Sequence, residues 1–285
     1  MTTSPLITVL GATGTIGTDL VPRLLATGTT VRAVTRDPAR RIPGAQRVIA
    51  DLRDPGTLRP ALAGADALFL NSPSSEDAAA LQIRAADLAH ELGISRLVLL
   101  SQHGARTDSP VRFLRWHGEV EQYVRSLGID HTVLRPNLYL QSLLGLAETI
   151  SRGILAAPIT EARVSAVDTR DVAAAAAAVL TGTGHSGRTY TLTGPAAITH
   201  REIAEALSRA TGTAITFHPL PAEDFAAALS ELLPAWQVHG LVEDYAHYAR
   251  GEADEVHHDI TALTGAPARD VDRFARDHAP AFTRP

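Results

Sequence analysis

The sequence predicts an α/β protein built on a doubly wound parallel sheet. Short runs rich in Val, Ile and Leu alternate with helix-length segments through the first half of the chain. Apolar strands of this kind are typical of parallel sheets that helices cover on both faces. The first run, at residues 6–10, leads into three glycines and then into a helical pattern. Ligands of such sheets bind at the carboxyl ends of the strands, so we expect the site there.

Six runs are predicted as strands, at residues 6–10, 30–35, 46–50, 66–70, 96–101 and 130–135. Helices are predicted between them, near residues 15–27, 55–63, 76–92 and 109–127. After residue 136 the pattern changes and predicts helices at 139–152, 169–181, 199–211 and 222–250, with short extended pieces at 163–167, 189–193 and 214–218. The alanine run at 173–178 is predicted to be a close-packed helix, and Thr199 and Glu202 have the spacing of a capping box.

The glycine loop after the first strand indicates a dinucleotide cradle. Gly11 allows a sharp turn out of the strand, Gly14 allows the backbone to approach a pyrophosphate, and Gly17 allows the helix to lie close on the sheet. The alternative is an ordinary glycine-rich turn. We therefore expect a dinucleotide-binding Rossmann core at 1–136, and a mixed region at 137–285 that completes the sheet edge and forms a substrate-side lid. The other predicted contacts in the loop are Thr13, Thr15 and Ile16.

The end of the second strand indicates which nicotinamide cofactor binds. Arg36 follows that strand about twenty residues after the last glycine, where an NAD enzyme carries an acidic residue for the ribose 2′-hydroxyl. A guanidinium at this position favours a 2′-phosphate, since its planar fork pairs with that group. We therefore predict NADPH. The alternative is that Arg36 is solvated and that Asp37 meets the ribose.

Composition excludes several classes of function. The 285 residues are 45% hydrophobic with a formal net charge of -5, and no cluster of basic and aromatic residues appears, so we expect no nucleic-acid partner. The chain has no cysteine and no lysine, which excludes disulfides, thiolate chemistry and Schiff bases. We predict no metal site, because His257 and His258 lack a third ligand at a recognisable spacing. Apolar runs are short and the glycine loop comes early, so we expect a cytoplasmic protein without a membrane partner.

These motifs resemble the NmrA-like atypical short-chain dehydrogenase/reductases, which include bacterial quinone and triphenylmethane reductases. The likeness covers nearly the whole chain and rests on the segments 11–17, 31–38, 51–52, 127–136, 168–172 and 190–195, together with Ser101 and the His117-x-x-x-Glu121 helix. The resemblance implies three sets of cofactor contacts, each with a strand-end or turn interpretation as its alternative. They are Asp51 and Leu52 beside adenine, Asn71, Ser72 and Pro73 along the ribose and phosphates, and Arg135, Pro136 and Asn137 beside the nicotinamide.

The sequence departs from the wider superfamily at its acid/base positions. Typical members carry a Ser, a Tyr about twelve residues later and a Lys four beyond that, so that the phenol passes a proton to a carbonyl. Counting from Ser101 puts Phe113 in the tyrosine position and His117 in the lysine position. We expect His117 to hold the nicotinamide ribose, or to donate a proton as an imidazole near its unperturbed pKa. The alternatives are a packed helix histidine at 117 and a strand-end cap, not a substrate-orienting hydroxyl, at Ser101.

The predicted substrate pocket draws on both halves of the chain. Gln102 and His103 follow Ser101, and Tyr139 follows the last predicted strand of the core together with Gln141. Four later aromatic side chains either face a planar ligand or belong to the core. They are Trp236, His239, Tyr245 and Tyr248.

Two functions fit these features. The first is an NADPH-dependent reductase that transfers hydride directly to a conjugated acceptor such as a quinone, an enone or an iminium compound, since such acceptors need little beyond positioning. Its partner is then a small conjugated or quinonoid molecule, and the protein is a monomer or a homodimer. It suits quinone detoxification or a tailoring step in bacterial secondary metabolism. The second is a non-catalytic NADP(H)-sensing regulator, a role that some NmrA-like proteins have.

Overall fold

The computed structural model describes residues 4–283, and a seven-stranded parallel sheet forms its centre. The strands of this sheet are β1 (Leu6–Val9), β2 (Thr30–Thr35), β3 (Gln46–Ile49), β4 (Ala67–Leu70), β5 (Arg96–Leu100), β6 (Asp130–Pro136) and β8 (Thr189–Leu192). Their spatial order is β3-β2-β1-β4-β5-β6-β8, with parallel pairing throughout. The chain order therefore reverses between β1 and β4, which is the switch point where doubly wound sheets open a crevice for ligands.

Helices and one small second sheet complete the fold. The helices are α1 (Gly17–Ala26), α2 (Pro55–Leu62), α3 (Ala78–Glu91), α4 (Arg112–Ser126), α5 (Ala147–Ser151), α6 (Thr169–Thr181), α7 (His200–Thr211), α8 (Ala222–Ser230), α9 (Ala235–Ala249), α10 (Asp259–Thr264) and α11 (Val271–Phe282). A 3₁₀ helix, Leu140–Leu146, precedes α5. Strands β7 (Ile154–Ala157) and β9 (Thr216–Pro219) pair in parallel outside the main sheet. No helix among residues 4–283 has the length and apolar character needed to cross a membrane.

Two hydrophobic layers cover the faces of the main sheet. One contains buried residues of α1 and α6, and the other contains buried residues of α2, α3 and α4. The alanine run at 173–178 lies in α6, where its small side chains let that helix pack closely on α1, and most of them are buried. The two layers therefore bury both faces of the sheet, and the carboxyl ends of the strands lie at the switch point between them.

A third hydrophobic cluster holds the C-terminal region together. It joins the 3₁₀ helix, α5, α7, α11 and the small sheet. Helix α7 begins with the predicted capping box, since the Thr199 hydroxyl accepts from the Glu202 N–H and the Glu202 carboxylate accepts from the Thr199 N–H. Helix α9 extends from this region to α4 and thereby covers the mouth of the crevice.

Several predicted elements of the second half are wrong in detail. The helix predicted at 222–250 is two helices, because Pro234 cannot donate a backbone hydrogen bond and disfavours helix in the residue before it. Residues 163–167 form only isolated bridges, at Val164 and Val167. The predicted helix at 139–152 is mostly 3₁₀, and β7, α10 and α11 were not predicted. Strand β8 and α6 extend the main sheet and its cover, while the division at residue 136 stays a prediction.

Candidate cofactor and substrate cavity

A cavity of about 700 Å³ opens at the carboxyl ends of the central strands. Most of the predicted site residues line it. Those that do are Gly11, Thr13, Gly14, Thr15, Ile16, Arg36, Asp51, Leu52, Asn71, Ser72, Pro73, Ser101, Gln102, His117, Pro136, Asn137 and Tyr139. Five predicted contacts do not line it, namely Gly17, His103, Arg135, Gln141 and Trp236. Gln141 instead bonds to Asp168 and Thr169.

The glycine loop has the geometry of a phosphate cradle. Gly11 has a φ of 71°, which favours glycine. A Cβ at Gly17 would lie 2.2 Å from the Gly11 carbonyl oxygen, so only glycine lets α1 start this close to the loop. A Cβ at Gly14 would lie 3.3 Å from the same oxygen, a tight contact that a small shift relieves, and it meets no other atom within 4 Å on this side of the cavity. The loop therefore fits a pyrophosphate group at the N-terminus of α1.

The β2 end of the cavity is suited to a 2′-phosphate. Arg36 is exposed, lines the cavity, and forms no salt bridge with any carboxylate in the described part of the chain. Asp37 does not line the cavity, and its Oδ1 accepts from the N–H of Ala39 at 2.8 Å. The carboxylate of Asp37 is thus used within its own turn, which disfavours the alternative in which it holds the ribose.

Helix α3, which follows the loop after β4, contributes a polar residue that the sequence did not suggest. The Asn71 side chain packs where a Cβ of Gly11 would be, with its Nδ2 3.0 Å from that position. The buried Gln82 of α3 donates from Nε2 to the Ser72 hydroxyl at 2.8 Å, and its Oε1 has no hydrogen-bond partner among residues 4–283. Gln82 also lines the cavity. Its free carbonyl oxygen therefore remains available to a ligand donor.

A buried ion-pair network lies beneath the β5 end of the cavity. Glu121 is 0% exposed and accepts from the Ser101 hydroxyl at 2.5 Å. Arg135 donates to both oxygens of the same carboxylate, at 2.8 and 2.6 Å, and Arg125 lies 3.0 Å from Oε2. The Ser101 proton is committed to a carboxylate, which argues against donation to a substrate oxygen. Arg135 faces this network, so the expectation that it borders the nicotinamide is wrong.

His117 lines the cavity one turn before Glu121 on α4. Burial lowers the pKa of His117 to about 4, only partly opposed by the charge of Glu121. The expectation of an unperturbed pKa is therefore wrong, because the ring is desolvated. A neutral imidazole can hydrogen-bond to a ribose hydroxyl, but near neutral pH it is not a charged acid.

Asn137 has its side-chain groups occupied inside the protein. Its Nδ2 donates to the Ser165 hydroxyl at 2.8 Å and to the Ala253 carbonyl at 2.9 Å. Its Oδ1 accepts from the Leu138 N–H at 2.8 Å. Asn137 thus ties the end of β6 to two later segments, and it reaches the cavity as part of the wall.

Aromatic side chains form the wall near α4. Phe113 and Trp116 line the cavity, while Trp236 packs behind them at ring-centroid distances of 6.2 and 6.1 Å. A Cβ at Gly240 would lie 2.1 Å from the Phe113 ring, so a glycine in α9 makes room for that ring. The prediction of a substrate contact at Trp236 is therefore wrong, although Trp236 supports the residues that do face the cavity.

His103 and the C-terminal aromatics divide between wall and core. The His103 ring lies 6.2 Å from the His257 ring and away from the cavity. Tyr248 lines the cavity, whereas Tyr245 packs in the third hydrophobic cluster. Burial raises the pKa of Tyr248 and of Tyr139. Helix α9 also contributes wall residues that the sequence analysis missed, namely Gln237, Leu241 and Asp244.

Comparisons with known proteins show the family and the fold that this chain shares. The NmrA-like family profile matches residues 3–265. The NAD(P)H azoreductase of Xenophilus azovorans is 35% identical over 287 residues, which cover 97% of this chain and 99% of the relative. The (4-alkanoyl-5-oxo-2,5-dihydrofuran-3-yl)methyl phosphate reductase of Streptomyces griseus is 36% identical over 284 residues, covering 97% and 99%.

A solved structure matches the fold over nearly its whole length. The NADPH-dependent quinone oxidoreductase of Escherichia coli, crystallised with NADPH, has a TM-score of 0.86 and is 26% identical. The match covers 95% of this chain and 99% of that one. By its sequence profile and these full-length likenesses, the chain belongs to the NmrA-like family.

Proposed function

We propose that this protein is a reductase that passes hydride from NADPH directly to a small conjugated acceptor, such as a quinone, an enone or an iminium compound. The chain is similar over its full length to two reductases, which supports an NAD(P)H-dependent oxidoreductase. A structural relative was crystallised with NADPH, which supports NADPH as the cofactor. One observation carries the narrower proposal: Phe113, a side chain that cannot exchange a proton, lines the cavity where the superfamily pattern has its phenol.

The order of the strands supports one orientation of the cofactor, with its adenosine end near β2 and its nicotinamide end near β5. Arg36 follows β2 and Ser101 follows β5, and these strands lie on opposite sides of the switch point. In this proposal Arg36 pairs with the 2′-phosphate, the loop around Gly14 holds the pyrophosphate, and neutral His117 bonds to the nicotinamide ribose. The bound nicotinamide supplies a hydride, that is, one proton and two electrons.

The aromatic side chains that line the cavity favour a flat acceptor. Phe113, Trp116, Tyr139 and Tyr248 bring aromatic surface to the part of the cavity beyond β5. Planar conjugated molecules stack favourably on such rings. Positioning of the acceptor by these side chains lowers the entropic part of the barrier to hydride transfer.

The direct test follows NADPH oxidation with a panel of quinones, enones, imines and cationic dyes, under identical conditions. We expect turnover with at least one acceptor and none with simple unactivated ketones. If no acceptor in the panel causes NADPH oxidation, while the protein binds NADP(H) tightly and a protein partner is recovered, the results would instead support an NADP(H)-sensing regulator. Turnover of unactivated ketones would contradict the direct-transfer proposal.

Replacing Arg36 with alanine is expected to weaken NADPH binding by roughly 10- to 100-fold, because a hydrogen-bonded charge pair contributes about 1.5–3 kcal/mol. NADH affinity should change little, since that cofactor has no 2′-phosphate. Fluorescence titration of both cofactors measures the two constants. Arg84→Ala, on an exposed position of α3 away from the cavity, is the matched control. A parallel loss for NADPH and NADH would contradict the assignment.

A further inference from the structure

A buried carboxyl group lies in the cavity wall on α9. Asp244 is 7% exposed and lines the cavity. Its Oδ1 lies 3.4 Å from Nε2 of Gln102, which donates to it. Gln102 comes directly after Ser101, at the carboxyl end of β5. Asp244 therefore lies at the end of the cavity remote from Arg36, where the acceptor is proposed to bind.

The polar neighbours of Asp244 do not neutralise a negative charge. Glu243, the preceding residue, raises the pKa of Asp244 by its own charge. Arg112 of α4 pairs with Glu243 at 2.7 Å, and this pair anchors α9 on α4. Gln102 offers one neutral N–H, which opposes the rise only in part. The Asp244 carboxyl group thus accepts one long hydrogen bond from the Gln102 amide and lies close to the negative charge of Glu243.

Two phenols on the same helix interact with Asp244, and a third phenol lines the same cavity. Tyr245 and Tyr248 lie on the same helix, and Tyr139 lines the same cavity from the loop after β6. Burial raises the pKa of each of the three, so they carry no charge near neutral pH. Burial likewise raises the pKa of Asp244 to about 7. An acid with such a pKa is partly protonated under ordinary conditions, as a proton donor must be.

We propose that Asp244 is the proton donor of this reductase, acting on neutral acceptors that must gain a proton as well as a hydride. The inference rests on the proposed function and supplies the acid that the Phe113 position lacks. It also divides the acceptors into two classes by charge, and only one class needs Asp244.

The two classes differ in their atom balance. A neutral quinone gains a hydride, which forms a new bond at the acceptor and leaves an anionic oxygen. That oxygen takes the proton of the Asp244 carboxyl as its O–H bond breaks, giving the hydroquinone, and the carboxylate regains a proton from solvent. A cationic triarylmethane dye gains a hydride at its central carbon and becomes neutral without any proton. The reduction of the dye is therefore an internal control for the whole site.

The test compares wild type with Asp244→Asn, using a neutral quinone and a cationic triarylmethane dye at a pH below 7. Asparagine keeps the size of the protonated acid and cannot give up a proton. We expect the quinone kcat to fall by about 100-fold, in line with general acid catalysis, while the dye kcat and the NADPH affinity remain as in wild type. In wild type, the quinone kcat should decline as the pH rises through about 7, and the variant should lose that decline. Asp254→Asn, at an exposed carboxylate, is the matched control.

Each other outcome has one meaning. An equal quinone kcat in the variant, or equal losses with both acceptors, overturns the role of Asp244 as proton donor. No NADPH oxidation by wild type with either acceptor overturns the proposed function instead. A readout without turnover is the infrared absorption of protonated carboxyl groups, which we expect to be stronger in wild type with NADP⁺ bound than in Asp244→Asn. Equal absorption in the two proteins below pH 7 also contradicts the proposal.

Discussion

Gly14→Ala and Gly17→Ala are expected to impair the protein in two different ways. The Gly17 variant should lose about 1–3 kcal/mol of unfolding free energy, as overpacked sites do, because its Cβ would lie 2.2 Å from the Gly11 oxygen. The loop must move to relieve this contact, so NADPH binding should fall as well. The Gly14 variant should lose less stability than the Gly17 variant, since its Cβ contact of 3.3 Å requires only a small shift of the Gly11 oxygen. It should nevertheless bind NADPH at least about tenfold more weakly, because the added methyl group lies beside the cavity.

Urea denaturation and fluorescence titration with NADPH separate the two effects. Gly145→Ala is the matched control, because a Cβ there meets no atom within 4 Å and its φ is not positive. That variant should leave both NADPH affinity and the denaturation midpoint close to wild type. Wild-type affinity and stability in Gly17→Ala would show that the cradle is not built as described.

The second large effect is expected from Glu121→Gln. Removing one member of a buried charge network typically costs about 3–5 kcal/mol, and Glu121 is fully buried between Ser101 and Arg135. We expect the lower half of this range, because the Arg135 side chain is 25% exposed and water can solvate it in part. The end of β5 should also lose its fixed position, so the KM for the acceptor should rise.

The stability of this variant is measured by thermal and urea denaturation beside Glu119→Gln. Glu119 is exposed on the same helix, and its replacement should change the unfolding free energy by less than about 0.5 kcal/mol, as surface substitutions usually do. Equal effects of the two variants would mean that the network contributes no more than a surface charge.

Local patterns were enough to predict the first half of the fold. The strand and loop leading to Gly17, the second strand ending at Arg36 and the helix around His117 all lie close to their predicted positions. Each follows from spacing along a few turns or strand residues, which are neighbours in sequence as well as in space. The same reasoning failed near Pro234, because the apolar pattern continues across the break between α8, which ends at Ser230, and α9, which begins after Pro234.

Distant contacts decided the chemistry of the site. Ser101 and Arg135 appear in the sequence as candidates for the cavity, yet both bond to Glu121, which lies on another element. Trp236 is an attractive aromatic for a planar ligand, but it packs against Phe113 and Trp116, which line the cavity, and does not line it itself. Which side of a residue meets a ligand depends on packing between elements far apart in the chain.

By itself the sequence determined the doubly wound fold, and it predicts the glycine cradle, a 2′-phosphate contact at Arg36 and a phenylalanine in place of the phenol at position 113, because these depend on residue type and short-range spacing. Only the tertiary structure decided the ionisation of the site, as His117 and Asp244 show. Their pKa values depend on desolvation, which is set by every element that excludes water from a group. No pattern in one strand or helix records that burial, so a carboxyl group on α9 becomes a candidate acid only when the chain is folded.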